Sequence, residues 1–466
     1  MRASRVHYSL PSNHFSCFNQ HGQLYFVDLE TSQRPIYNVQ MEQYSSASEY
    51  DAAVQERSQL PAGFRAGRVS VQFHPKERPS EQPYELYLSL LLLDELTPSF
   101  AGVFTQNAFP GYPVIIGKER LAMPMSRGVI VNNKVANVGP RGGDKDAERI
   151  LRALADATDS DPEDYFPSST GVVGWRLPVE EIVEAIPRLV SRTTERSVAE
   201  FARGIMTTDR YPKVRRATLG EGSIVAAAKG AGMIEPNMAT MLAFVATDVS
   251  IDRRELQPIL SRVANSTFNR ISVDGDQSTS DMILALSSRK KPAVKLEQFE
   301  HALQEVLSPL AEDVVRNGEG TAHVLRVSIS GAADEEEAVG AGKAIVNSPL
   351  VKSAIYGNDP NVGRILAAIG DYLGNAGKEL DVSRVRLSLG DTAVFDGGQF
   401  RLDFETERQL SDYLSSAQFD PEVKGYPPHD HTVDIWAELG RGKAKTEVIG
   451  SDLSYEYVRE NADYRT

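Results

Sequence analysis

The chain has 466 residues, of which 41% are hydrophobic and 24% charged, and carries a net charge of −14. That composition suits a soluble globular protein of about two to three packed units. The acidic balance excludes a dominant basic face for nucleic acid, and Cys17 alone excludes intramolecular disulfides and cysteine-based zinc sites.

In chain order, residues 1–58 read as an N-terminal extension with short strands at 24–28 and 36–39. A Ser/Ala/Glu-rich stretch at 43–59 reads as helix or linker. The first 30 residues lack a positively charged start followed by an apolar stretch, so no secretory signal is expected and the chain reads as cytoplasmic. The β-branched segments 69–73, 102–104, 114–116 and 128–131 predict strands. The apolar run Leu86 to Asp94 is too short to cross a bilayer and predicts a strand or a buried helical turn.

Apolar residues at three- and four-residue spacing predict helices over 144–157, 197–206, 255–269 and 295–317. A shorter helix from Val179 is interrupted by Pro187. Asn358-Asp359-Pro360 predicts a capped helix start running on through Gly363 to Ile369. Strands interleaved with helices give an α/β or α+β layered architecture.

The most informative segment is Lys229 to Phe244, where a glycine-rich turn leads to Ala239-Thr240 and a long apolar run. A threonine there could attack the preceding carbonyl, cut the chain, and use its freed α-amine as a base; such an amine has a pKa of about 8. On pattern alone, a β-branched residue in a buried strand explains Thr240 more simply. Thr170-Gly171, within Ser168 to Gly174, could offer a hydroxyl and a backbone N–H to an oxyanion, or form an ordinary turn. Met206 to Asp209 could bind polar substrate groups or merely end a helix. Gly340 to Lys343 lacks the glycine and hydroxyl spacing of a phosphate loop. His429-Asp430-His431 has no third ligand nearby and reads as a solvated loop rather than a metal site.

Taken together, the chain from about residue 61 resembles the ornithine acetyltransferase family, the glutamate N-acetyltransferases of arginine biosynthesis. The resemblance rests on AGVFTQN at Ala101, STGVVG at Ser169, MTTD at Met206 and KGAGMIEPNMATML at Lys229. It continues with SVDGDQST at Ser272, NGEG at Asn317, VKSAIYGNDPNVGRILAAIGD at Val351 and the closing SDLSYEYVRENADYRT. The resemblance implies an α+β fold presenting an N-terminal nucleophile between β-sheets flanked by helices, with a smaller C-terminal α/β domain. It implies scission between Ala239 and Thr240, giving fragments 59–239 (behind the 1–58 extension) and 240–466, commonly assembled as two of each.

By the same resemblance, Thr240 is the nucleophile and Thr170 with Gly171 the oxyanion donors. Thr207, Lys229, Glu319, Asn461 and Thr466, with Thr240 itself, are the substrate contacts. A plain Lys229–Glu319 salt bridge is the structural alternative. The implied reaction is ping-pong transfer of an acetyl group from N-acetylornithine to glutamate, with no metal, nucleotide or other cofactor and only small amino acids as partners, neither nucleic acid nor membrane.

Several stretches depart from the family pattern. Asn132 to Val138 carries Lys134 and Val135 where a glycine and an asparagine are usual; Ala108 to Val114, Lys343 to Asn347 and Lys443 to Gly450 also differ. These departures leave room for a related amino acid or acyl group as substrate. A hydrolase using the same threonine and a catalytically silent scaffold are the rival expectations.

Overall fold

The computed structural model describes residues 16–18, 24–26, 42–235, 241–427 and 429–463. The chain falls into two compact units, Met1–Asn38 and Val39–Thr466. In the first, strands Ser16–Phe18 and Leu24–Phe26 pair antiparallel. The strand expected at 36–39 lies outside the described residues.

The larger unit is built on three sheets. Sheet A orders its strands Phe64–Phe73, Tyr84–Thr97, Ser126–Asn132 and Tyr165–Ser169. Sheet B orders Phe100–Phe104, Met282–Lys291, Leu242–Val249, Gly222–Lys229 and Lys213–Leu219. Sheets A and B pack face to face: Phe64, Leu91 and Phe166 of one meet Phe244 and Leu284 of the other. Helices Gly143–Thr158 and Val179–Arg192 cover the outer face of sheet A through Leu151, Leu154, Ile182 and Leu189. Helices Arg253–Ser266 and Leu296–Arg316 cover that of sheet B through Leu260, Leu303 and Leu307.

This layering explains the apolar runs. Successive strand residues point to opposite faces, so Leu242, Phe244 and Ala246 enter the core between the sheets while Ala243 and Val245 meet the helices. With both faces covered, the strand is apolar from Leu242 to Ala246, and its buried polar residues Thr247 and Asp248 are hydrogen-bonded to Ser223. The run from Leu86 is likewise strand: Leu86, Leu88, Leu90 and Leu92 face the helices, and Leu91 and Leu93 face sheet B.

Sheet C, of seven strands, lies in the C-terminal half, with Ala444–Ser451, Val324–Ala332 and Val433–Glu438 as consecutive neighbours. Helices Glu335–Asn347, Val362–Asn375 and Phe404–Ser416 pack on it. The arrangement is the α+β one that the resemblance implied, with two sheets face to face between helices.

Four local expectations change. Residues 114–116 are not a strand but part of helix Tyr112–Arg120, which Pro113 opens from its first turn. The helix expected over 197–206 is confined to Ala199–Gly204. Asn358 does not cap the next helix; it takes φ +54 after helix Pro349–Tyr356, and Asn361 precedes the helix that starts at Val362. Pro187 does not interrupt helix Val179–Arg192, because it sits on the exposed face where water meets the freed carbonyl.

Within the residues expected as extension, Ala47–Arg57 is a helix capped by the Ser46 side chain. Its Tyr50 and Val54 are buried in the core between sheets A and B, and Tyr50 donates to the Pro212 carbonyl at 2.7 Å. This helix is part of the larger unit.

Candidate active site

Strands Gly222–Lys229 and Leu242–Val249 are antiparallel neighbours, with Lys229 opposite Leu242. The chain therefore leaves sheet B at Lys229 and returns at Leu242, at the same sheet end. Beside that point is a cavity of about 270 Å³. Thr170, Gly171, Thr207, Lys229, Glu319 and Asn461 line it, together with Met241 and Leu242. Of the residues expected at the site, the structure brings these six together. Ala239, Thr240 and Thr466 lie outside the described residues.

Thr170 and Gly171 follow the last strand of sheet A. The Thr170 N–H donates to Asn132 O at 3.0 Å and Val172 N–H to Lys134 O at 2.9 Å, which fixes the turn between them. Gly171 has φ +129, and a Cβ there would collide with the Lys134 backbone. Only glycine fits so close an approach. Among the described residues, neither the Thr170 hydroxyl nor the Gly171 N–H has a hydrogen-bond partner, so two donors stand open at the cavity wall.

On the opposite side, Glu319 is buried and shared. One carboxylate oxygen accepts the Thr208 hydroxyl at 2.6 Å and the other accepts Asn461 Nδ2 at 2.9 Å. A Cβ on Gly232 would push against this carboxylate, so a larger residue there would displace it. Lys229 Nζ donates to the Thr207 hydroxyl at 3.3 Å. Lys229 and Glu319 do not form the direct ion pair considered from the sequence: among the described residues their hydrogen bonds go to Thr207, Thr208 and Asn461. They are separate charged contacts on one cavity. Burial lowers the Lys229 pKa, and the nearby Asp209 carboxylate partly opposes that.

Asp209 ties the site together. Its Oδ1 accepts Gly230 N–H at 2.8 Å and Lys213 Nζ at 2.5 Å, and its Oδ2 accepts Thr207 N–H at 3.0 Å. Lys213 Nζ also reaches Asn317 Oδ1 at 2.6 Å. Burial alone would raise the Asp209 pKa, but the Lys213 and Lys229 charges and the Gly230 N–H outweigh it and bring it to about 2. MTTD was legible as a motif; that Asp209 and Lys213 support Thr207 and Lys229 was not, because their partners come from distant segments.

A second support holds the approach to residue 236. Asp274, in the SVDGD turn, accepts Met233 N–H at 2.6 Å and Ile234 N–H at 2.8 Å. The Tyr457 hydroxyl meets Asp274 at 3.3 Å, linking helix Tyr455–Ala462 to the same turn. Lys352 is buried and donates to the carbonyls of Val273 and Ser451, each at 2.6 Å.

The departures from the family pattern have structural partners. Asn133 Oδ1 accepts Tyr87 N–H at 2.7 Å and its Nδ2 donates to Met206 O at 2.8 Å. Lys343 donates to the Ile271 carbonyl at 2.5 Å, and Asn347 bonds Ser272 and Glu235. Glu447 pairs with Arg326 at 2.7 Å, and Arg326 also reaches buried Glu312 at 2.7 Å. Gly340 to Lys343 lies inside helix Glu335–Asn347, not in a loop. The His429-to-His431 segment is not simply solvated: Arg316 donates to the carbonyls of His429, Asp430 and His431.

Two face-to-face sheets enclosing a polar cavity with a buried lysine and a buried carboxylate define a small-molecule enzyme. The ArgJ family profile matches residues 82–466, and the chain belongs to that family. It is 41% identical over 379 residues to the arginine biosynthesis bifunctional protein ArgJ of Methylococcus capsulatus, covering 78% of this chain and 88% of that one. It is 40% identical over 391 residues to a glutamate N-acetyltransferase of Methanopyrus kandleri, covering 81% and 95%. Among solved structures, an arginine biosynthesis bifunctional protein argJ from Bacillus halodurans is 36% identical, with a TM-score of 0.42, covering 48% of this chain and all of that one. Among the described residues, no helix is long and apolar enough to cross a membrane.

Proposed function

We propose that the chain cuts itself between Ala239 and Thr240 and then works as an N-acetyltransferase, moving an acetyl group from N-acetylornithine to glutamate. The pair of open donors, Thr170 hydroxyl and Gly171 N–H, carries this reading. They face a cavity whose wall includes Met241, the residue that follows Thr240 in the chain. Oxyanion donors already in place need no reorganisation when charge develops.

In the first half-reaction the Thr240 hydroxyl adds to the donor's amide carbonyl while its proton passes to the Thr240 α-amine. The C–N bond breaks, the proton goes to the departing amine, and an acetyl ester remains on Thr240. Glutamate's amine then attacks the ester, the C–O bond breaks, and the Thr240 oxygen recovers its proton. Lys229 would take the substrate carboxylate and Glu319 an ammonium, which sets the amide against the nucleophile. Asn461 holds Glu319, and Thr207 and Thr466 complete the contacts.

The fragments 59–239 and 240–466 would stay together, as two copies of each, and the work would be done in the cytoplasm. Intact-mass measurement and acetyl transfer from N-acetylornithine to glutamate test the reading together. Two fragments and acceptor-dependent transfer are expected; an uncut chain with full activity, or acetate release indifferent to glutamate, rejects it.

A further inference from the structure

Next to the site is a second, larger cavity of about 410 Å³, which shares Gly171, Val172, Thr207 and Thr208 with the first. Trp175 lines it, buried and in edge contact with Tyr84 at 5.5 Å between ring centres. Three cationic residues line it: Arg78, Lys134 and Arg210. Arg210 is committed to Glu460 at 3.0 Å. Arg78 and Lys134 have no acidic partner among the described residues. Lys134 also stands at φ +68, the left-handed region that favours glycine, and the family pattern carries glycine there.

An acyl donor's carbonyl carbon bears an oxygen, an amine and an acyl tail. With the oxygen at Thr170 and Gly171, and the amino acid between Lys229 and Glu319, the tail is left facing the second cavity. An acetyl methyl would fill little of it. We infer that this cavity is an acyl subsite that takes a chain longer than acetyl ending in a carboxylate, with Trp175 against the methylenes and Lys134 and Arg78 at the anionic end. The inference rests on the acyl-transfer reading above, and the tail itself takes no part in bond making or breaking.

The test compares N-succinylornithine with N-butyrylornithine, its uncharged analogue of the same carbon chain, as donors to glutamate. A kcat/KM at least tenfold higher for the succinyl donor is expected in the wild type. The double variant Lys134→Gly with Arg78→Ala should bring that ratio to about one. A wild-type ratio of one or below, or a ratio that survives the double variant, overturns the subsite. Calorimetric titration with N-succinylornithine separates the two readings: about tenfold weaker binding to Lys134→Gly is expected, and equal binding overturns the subsite. N-acetylornithine serves as the third donor: if it too fails to transfer its acyl group, the acyl-transfer reading fails, and the calorimetry still decides the subsite.

Discussion

Asp209 and Lys213 form an ion pair at 2.5 Å with both side chains fully buried, and through it the Thr207 loop and the Gly230 turn share one anchor. Removing one partner of such a pair leaves an uncompensated charge out of water. Asp209→Ala should therefore lose about 3–5 kcal/mol of stability, measured by denaturant unfolding. Loss below about 1 kcal/mol would show that the pair is dispensable.

The same pair sets an acid limit. The Asp209 pKa falls from 3.8 to about 2 on folding. A depressed carboxylate stabilises the fold above its unfolded value and loses that contribution as pH drops through its folded value. About 2 kcal/mol should vanish between roughly pH 4 and pH 2. The difference in stability between wild type and Asp209→Asn across that window measures it, and a difference independent of pH would contradict the assignment.

Thr170→Val keeps the side-chain shape and removes the open hydroxyl. Loss of one oxyanion donor typically lowers kcat about 10²–10³-fold. The thermal midpoint should hardly move, because Thr170 Oγ1 bonds no described residue. Unchanged kcat would remove the hydroxyl from the chemistry.

Lys229→Met should weaken binding of the carboxylate-bearing substrate by about 1.5–3 kcal/mol, the range for a hydrogen bond to a charged group, read as a rise in KM. Because burial lowers the Lys229 pKa, wild-type KM should also begin to rise at a pH below the usual lysine range. A KM flat across alkaline pH, with no effect of the substitution, would place the carboxylate elsewhere.

Asp274→Ala frees the N–H groups of Met233 and Ile234 just ahead of the proposed scission point. Scission should slow, seen as uncut chain persisting in intact-mass spectra over time. Asp274→Asn, which keeps one acceptor oxygen, should recover part of the rate. Equal rates in all three proteins would limit Asp274 to a structural role.

Much of this was legible in the sequence because period and punctuation agree. The helices at 143–158 and 296–316 carry clear apolar stripes, and strand Leu242–Val249 sits on the apolar run that continues to Thr247-Asp248. Val114-Ile115-Ile116 misleads because a short β-branched run looks alike in strand and helix, and the signal lay outside it, in Gly111 and Pro113. Asn358 misleads because two asparagines flank Pro360, and only the left-handed turn at the first puts the helix start after the second. The motifs located six lining residues of the cavity. Lys213 and Asn317 stayed hidden, since their 2.6 Å contact spans 104 positions that no local pattern connects.

Across sheet B, Gly222–Lys229 zips to Leu242–Val249 through six consecutive register pairs, from Leu242–Lys229 to Thr247–Ile224. These strands lie on opposite sides of the proposed cut. Each severed piece would then hold part of the other's ladder, so the tie between them, once intramolecular, becomes a meeting of two molecules. Heat or urea would act as a ratchet: an unsplit precursor can find its way back after dilution, whereas the split form melts into orphans that must collide before either can pleat.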